Sequence, residues 1–174
     1  MNKIRASLVL AGCIGFLSAS AADNDYDSDY DTLFAQGKRQ LTVLGGAGSA
    51  FGEDYFVIGA GFGYYLIDGF NVGLQFESWS GGDPGILKVT ASTQYVFYKT
   101  SGIPTYVGAF YRYSEFENQP SIDSVGARAG LYLPVGPSGY FGLGAVYEKY
   151  LDCNMQFYAS CDEAYPEVSF TFAF

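Results

Sequence analysis

The sequence has no histidine and a single tryptophan, and its 9 Lys and Arg face 18 Asp and Glu. Without an imidazole there is no general base of the usual kind for Ser–His hydrolysis, and no histidine-containing metal set. The shortage of cations argues against nucleic acid as a partner, because phosphate recognition rests on Lys and Arg. A phosphate loop, a dinucleotide fingerprint and a Cys-x-x-Cys pair are all missing. Carboxylate pairs remain, such as Glu115 and Glu117, but on a strand running into a loop they read as solvent-facing. Neither an enzymatic activity nor a cofactor is expected.

Cysteine is scarce too. Cys153 and Cys161 lie eight positions apart, with no third thiol nearby, so the pair reads as a disulfide of an exported protein rather than a metal site. Closing so small a loop stabilises by about 2.5 kcal/mol in the chain-entropy treatment. Cys13 falls in a different setting. Lys3 and Arg5 precede an apolar run from Ala6 to Leu17, followed by the small residues Ser18-Ala19-Ser20-Ala21, the pattern of a secretory signal peptide over residues 1–21. The run is too short for a spanning helix. Leu10-Ala11-Gly12-Cys13 also matches a lipobox, which leaves acylation of Cys13 as an alternative. Loss of Lys3 and Arg5 with the signal would take the net charge from -9 to -11.

What the chain has in abundance is 16 Tyr, 15 Phe and 23 Gly, a mixture suited to short strands and tight turns. The last stretch, Glu167 to Phe174, alternates Val168, Phe170, Phe172 and Phe174 with Glu167, Ser169, Thr171 and Ala173. One face of this period-two element is wholly apolar, as for a strand facing lipid. Upstream, residues 22–36 carry Asp23, Asp25, Asp27, Asp29 and Asp31 with little to bury, and are expected to be a disordered acidic spacer. Calcium binding is the alternative, though the Gly and distal Glu of a calcium loop are missing.

From residue 37 to 174 the alternation predicts an all-β domain: an eight-stranded antiparallel up-and-down transmembrane β-barrel. Strands are expected over about 38–51, 55–67, 70–77, 87–97, 104–116, 123–134 and 140–151, with the eighth following a disulfide loop over 152–163. In the second, Phe56, Ile58, Ala60, Phe62, Tyr64 and Leu66 share one face, and Gly59, Gly61 and Gly63 the other, where a narrow interior needs room. The mean hydropathy of +0.08 conceals this pattern, because the apolar and polar faces cancel. Turns near 68, 100 and 137 would lie on the side of the termini, and connections near 52, 82, 119 and 157 on the other. Tyr65, Tyr98, Tyr106, Tyr140 and Tyr150, near strand ends, fit interfacial girdles.

The opposite parity collects Glu77, Lys88, Arg112, Arg128, Glu148 and Glu167, three charges of each sign on six strands. Isolated charges are costly in so narrow a space, so a mutually paired network is expected, with Gln75 and Gln94 as hydrogen-bonding neighbours. The network reads either as a gated pore or as a structural polar plug. Met155, Phe157 and Tyr158 are unusually apolar for an exposed loop; they read as an adhesive knob or as a cover over the barrel mouth.

In strand count, alternation and carboxyl-terminal Phe, the region from Lys38 to Phe174 resembles the small Gram-negative outer-membrane barrels of the OmpA transmembrane-domain and OmpX type. That resemblance implies an integral outer-membrane location, contact with outer-membrane lipid and lipopolysaccharide, and a monomer. It also implies that Phe170, Phe172 and Phe174 form the signal read by the barrel assembly machinery. A structural, adhesive or surface-interaction role follows, with a narrow channel for ions or small solutes as the alternative. A soluble lipocalin-like barrel would need the two faces exchanged.

Overall fold

The computed structural model describes residues 33–50, 53–99, 102–151, 153 and 161–174. The signal segment with Cys13, the Asp23–Asp31 run, and Met155, Phe157 and Tyr158 lie outside the described residues. The strands are β1 Arg39–Ala50, β2 Glu53–Ile67, β3 Phe70–Ser80, β4 Ile86–Phe97, β5 Thr105–Phe116, β6 Gln119–Pro134, β7 Gly139–Tyr150 and β8 Asp162–Ala173. Each pairs antiparallel with its neighbour in sequence, and β1 with β8 completes a closed barrel.

Local chemistry sets the corners. Asp68-Gly69 joins β2 to β3, and Gly69 adopts φ +76 where a Cβ would stand 2.7 Å from the Val96 carbonyl oxygen. β6 starts at Gln119 rather than 123, because Asn118 takes φ 61 and lets Phe116 pair with Gln119 across a tight turn.

Alternation places the faces as expected. Phe56, Ile58 and Phe76 are 61%, 54% and 55% exposed on the outside, whereas Arg112 and Glu148 are 2% and 0% exposed within. The glycine stripe of β2 also faces inward: a Cβ on Gly59 would lie 2.8 Å from the Phe76 carbonyl oxygen and 3.0 Å from Glu77 Cγ.

Two expectations are corrected. Tyr65, Tyr98, Tyr106 and Tyr140 are buried inside the barrel, and Tyr150 packs partly buried against an interior cluster, so none belongs to an outer girdle. Their parity opposes that of the lipid-facing residues, and the aromatics outside are others, such as Tyr64, Tyr95 and Phe141. Residues 33–36 are not part of a spacer with nothing to bury. Leu33 and Phe34 insert into the barrel end near the termini, because a ring of tyrosines there offers an apolar seat.

The β1–β8 ladder is shorter than the rest. It runs from Gln40↔Ala173 to Leu44↔Ser169, while β1–β2 continues to Ala50↔Glu53 and β7–β8 to Lys149↔Asp162.

Close approach at Gly108 yields a test. A Cβ there meets the Thr93 carbonyl oxygen at 2.7 Å and Arg128 Cγ at 3.2 Å, while one at Gly46 meets nothing within 4 Å. Gly108→Ala should lower the stability of the refolded barrel in urea by about 1–3 kcal/mol. Gly46→Ala should stay within about 0.5 kcal/mol of the parent.

Candidate functional site

Arg112 projects from β5 into the lumen and organises its centre. Nη1 donates to Glu148 Oε2 at 2.7 Å and to the Tyr165 hydroxyl at 2.7 Å, Nη2 to Glu77 Oε1 at 3.1 Å, and Nε to Thr90 Oγ1 at 2.9 Å. The carboxylates are fully engaged in turn. Glu148 also accepts from Ser124 Oγ at 2.5 Å and Tyr165 at 2.8 Å, and Glu77 accepts from Gln75 Nε2 at 2.7 Å and Trp79 Nε1 at 3.2 Å. Every carboxylate oxygen therefore has a donor, the condition under which a buried charge is tolerable. The network ties β3, β4, β5, β6, β7 and β8 together.

A second pair lies nearer the termini, where Arg128 Nη1 stands 3.3 Å from Glu167 Oε2. Phe110 separates the two arginines, its ring centroid 4.9 Å from Arg112 Cζ and 5.1 Å from Arg128 Cζ. Beside this pair is a cavity of about 40 Å³ lined by Gln40, Asn71, Gln94, Arg128, Glu167 and Thr171 among others. At about 10–15 Å³ per water it has room for a few waters and no organic solute.

The six inward charges thus all face the lumen, though not as one network. Lys88 stands with Nζ 3.8 Å from the Trp79 ring centroid instead of on a carboxylate. Gln75 serves Glu77 as expected, but Gln94 donates to the Tyr132 hydroxyl, outside the charge network. Cys153 and Cys161 are joined, with Cα atoms 5.6 Å apart. Phe170, Phe172 and Phe174 lie on the outer parity of β8; Phe172 and Phe174 are exposed and Phe170 is half-buried.

Both ends of the lumen are closed by apolar side chains. Toward the loops, Tyr55, Ile86, Phe116 and Ile122 are buried together, with Trp79 and Tyr150 against them. Toward the termini, the fully buried Phe34 ring lies 5.3 Å from Tyr140, 5.4 Å from Tyr98, 5.8 Å from Tyr132 and 6.0 Å from Tyr65. Its segment is fastened by Gly69 N donating to Phe34 O at 2.8 Å and Gln36 N donating to Asp68 Oδ1 at 2.9 Å. The Gln36 bond, with help from Lys99, holds the exposed Asp68 carboxyl below its ordinary value.

Sequence reasoning missed Phe34, Trp79, Phe110, Ser124 and Tyr165. A signal existed for Phe110, which shares the parity of Arg112, and for Tyr165, which shares that of Glu167. Aromatics on both faces of the same strands masked it.

No protein-family model matches the chain, and no curated protein matches it. Among solved structures, the N-terminal β-barrel domain of Pseudomonas aeruginosa OprF aligns with a TM-score of 0.63 at 15% identity, over 80% of this chain and 98% of that one. The fold is that of the small eight-stranded outer-membrane barrels. Neisserial surface protein A (NspA) aligns at 0.52 with 16% identity over 78% and 93% of the two chains. The outer membrane protein OprG from Pseudomonas aeruginosa aligns at 0.50 with 12% identity over 80% and 97%. At such identities the likeness concerns the barrel architecture alone.

Two outcomes follow for this small barrel. Arg112→Leu leaves Glu77 and Glu148 buried without their cation and should cost about 3–5 kcal/mol in equilibrium unfolding. Because the Asp68 pKa is depressed in the folded state, its bond to Gln36 contributes fully above the ordinary carboxylate range and is lost as pH falls through the lowered value. The Gln36 amide resonance should therefore titrate below the usual range for aspartate, and Asp68→Asn should abolish that titration.

Proposed function

We propose that the chain is a non-enzymatic integral outer-membrane barrel with a structural or surface-contact role, including adhesion, and that it does not transport solutes. The exposure of Phe56, Ile58 and Phe76 outside, against burial of Arg112 and Glu148 inside, supports the membrane reading. The single observation that carries the role is the filled lumen. Apolar clusters close both ends, and the charges between them neutralise one another.

The partners we propose are outer-membrane lipid and lipopolysaccharide around the wall, with the barrel assembly machinery reading Phe170, Phe172 and Phe174 during biogenesis. The barrel is proposed to act as a monomer.

Planar-bilayer recording on the refolded mature protein tests the role. A folded barrel that gives no discrete conductance steps is the expected result. Steps whose size changes in Arg112→Lys or Glu148→Gln would instead establish the channel reading.

A further inference from the structure

The guanidinium of Arg128 is engaged along one edge only. Nη1 lies 3.3 Å from Glu167 Oε2 and 3.4 Å from Glu167 Oε1, and the Phe110 ring stands with its centroid 5.1 Å from Cζ. Nε and Nη2, the edge suited to gripping an anion side-on, have no partner among the described residues, although Arg128 is only 9% exposed.

Asn71 repeats this pattern from β3. It is 3% exposed, its Oδ1 accepts from Gln40 Nε2 at 3.2 Å, and its Nδ2 is unpaired among the described residues. Both side chains line the cavity of about 40 Å³ beside the Arg128–Glu167 pair. Among the described residues around that cavity, the buried side-chain atoms without a partner are Arg128 Nε, Arg128 Nη2 and Asn71 Nδ2. All of them are donors.

We propose that this cavity is a binding site for a small monovalent anion of the halide class, held by Nε and Nη2 of Arg128 and Nδ2 of Asn71. The excess of donors selects an anion. A water that accepted from them would have its own hydrogens to place, and the amide oxygens of Asn71 and Gln40 are already engaged, the first by Gln40 and the second by the Tyr140 hydroxyl at 2.8 Å. A halide accepts from every donor and needs no acceptor in return. A cation is repelled by Arg128 itself.

Size and charge narrow the choice. At about 10–15 Å³ per water the cavity takes a halide with a little water, whereas a hydrated sulfate or phosphate would not fit. Glu167 lines the same cavity and opposes a guest of more than one negative charge. The apolar clusters at the two ends of the lumen, around Phe34 and around Tyr55, set the route of entry: the ion is taken up as the barrel closes and exchanges slowly afterwards. Conductance tests the surface-contact role, and the location of the ion tests this site.

The mature barrel would be refolded and crystallised in sodium bromide, and the ion located by anomalous diffraction at the bromine edge. A peak within hydrogen-bonding distance of Arg128 Nη2 and Asn71 Nδ2 is expected, with none there in crystals grown in sodium gluconate. In solution, a ligand of the folded state alone stabilises that state, so each tenfold rise in bromide past half-saturation should lower the unfolding equilibrium constant about tenfold, gluconate holding the ionic strength constant.

Arg128→Gln should abolish both the peak and the bromide dependence, and Asn71→Leu should weaken them. If Arg128→Gln fails to fold, the double variant Arg128→Gln, Glu167→Gln leaves no unpaired charge and should abolish them in its place. Density in the cavity without anomalous signal, or bromide confined to the barrel surface, would overturn the proposal. So would a peak at crystal concentrations with no bromide dependence in solution, or a bromide effect undiminished by loss of Arg128 or Asn71.

Discussion

Arg112 lies between Glu77 and Glu148 in a space too narrow for unpaired charge, and the rest of the barrel is arranged so that this contact is made. The three residues come from β5, β3 and β7, so the contact forms only when those strands stand in register around a common axis. A slip of one residue on any of them would carry an ion to the lipid side and a Phe or Tyr into the lumen. The pairing is therefore a stronger statement about register than about net stability, because desolvation offsets much of its Coulomb gain.

Around that centre the aromatics complete the enclosure. Phe110 lies between the two arginines, and the Phe34 and Tyr55 clusters cover the ends. Burial among these rings raises the electrostatic coupling of the ions within. Phe34 reaches its seat only because Gly37, with φ +86, turns the incoming chain back toward Tyr65, whose carbonyl accepts from Gly37 N at 2.9 Å. The same packing anchors the amino-terminal segment and fills the lumen end near the termini.

By itself, the sequence determined the barrel. Alternation in Phe56–Leu66, Phe70–Glu77 and Leu87–Phe97 is a one-dimensional property, and a strand's face follows from parity without knowledge of its neighbours. The strand number, the inward set Glu77, Lys88, Arg112, Arg128, Glu148 and Glu167, and the Cys153–Cys161 bridge were legible for that reason or from local spacing. Only the tertiary structure decided how the inward residues meet. Parity says that Lys88 and Glu77 share the lumen, but the angular position of each strand and the height of each side chain place Lys88 over Trp79 and give Glu77 to Arg112. The inward turn of the tyrosines and the burial of Phe34 are of the same kind, since an aromatic near a strand end suits either an interface or a lumen until closure fixes the space inside.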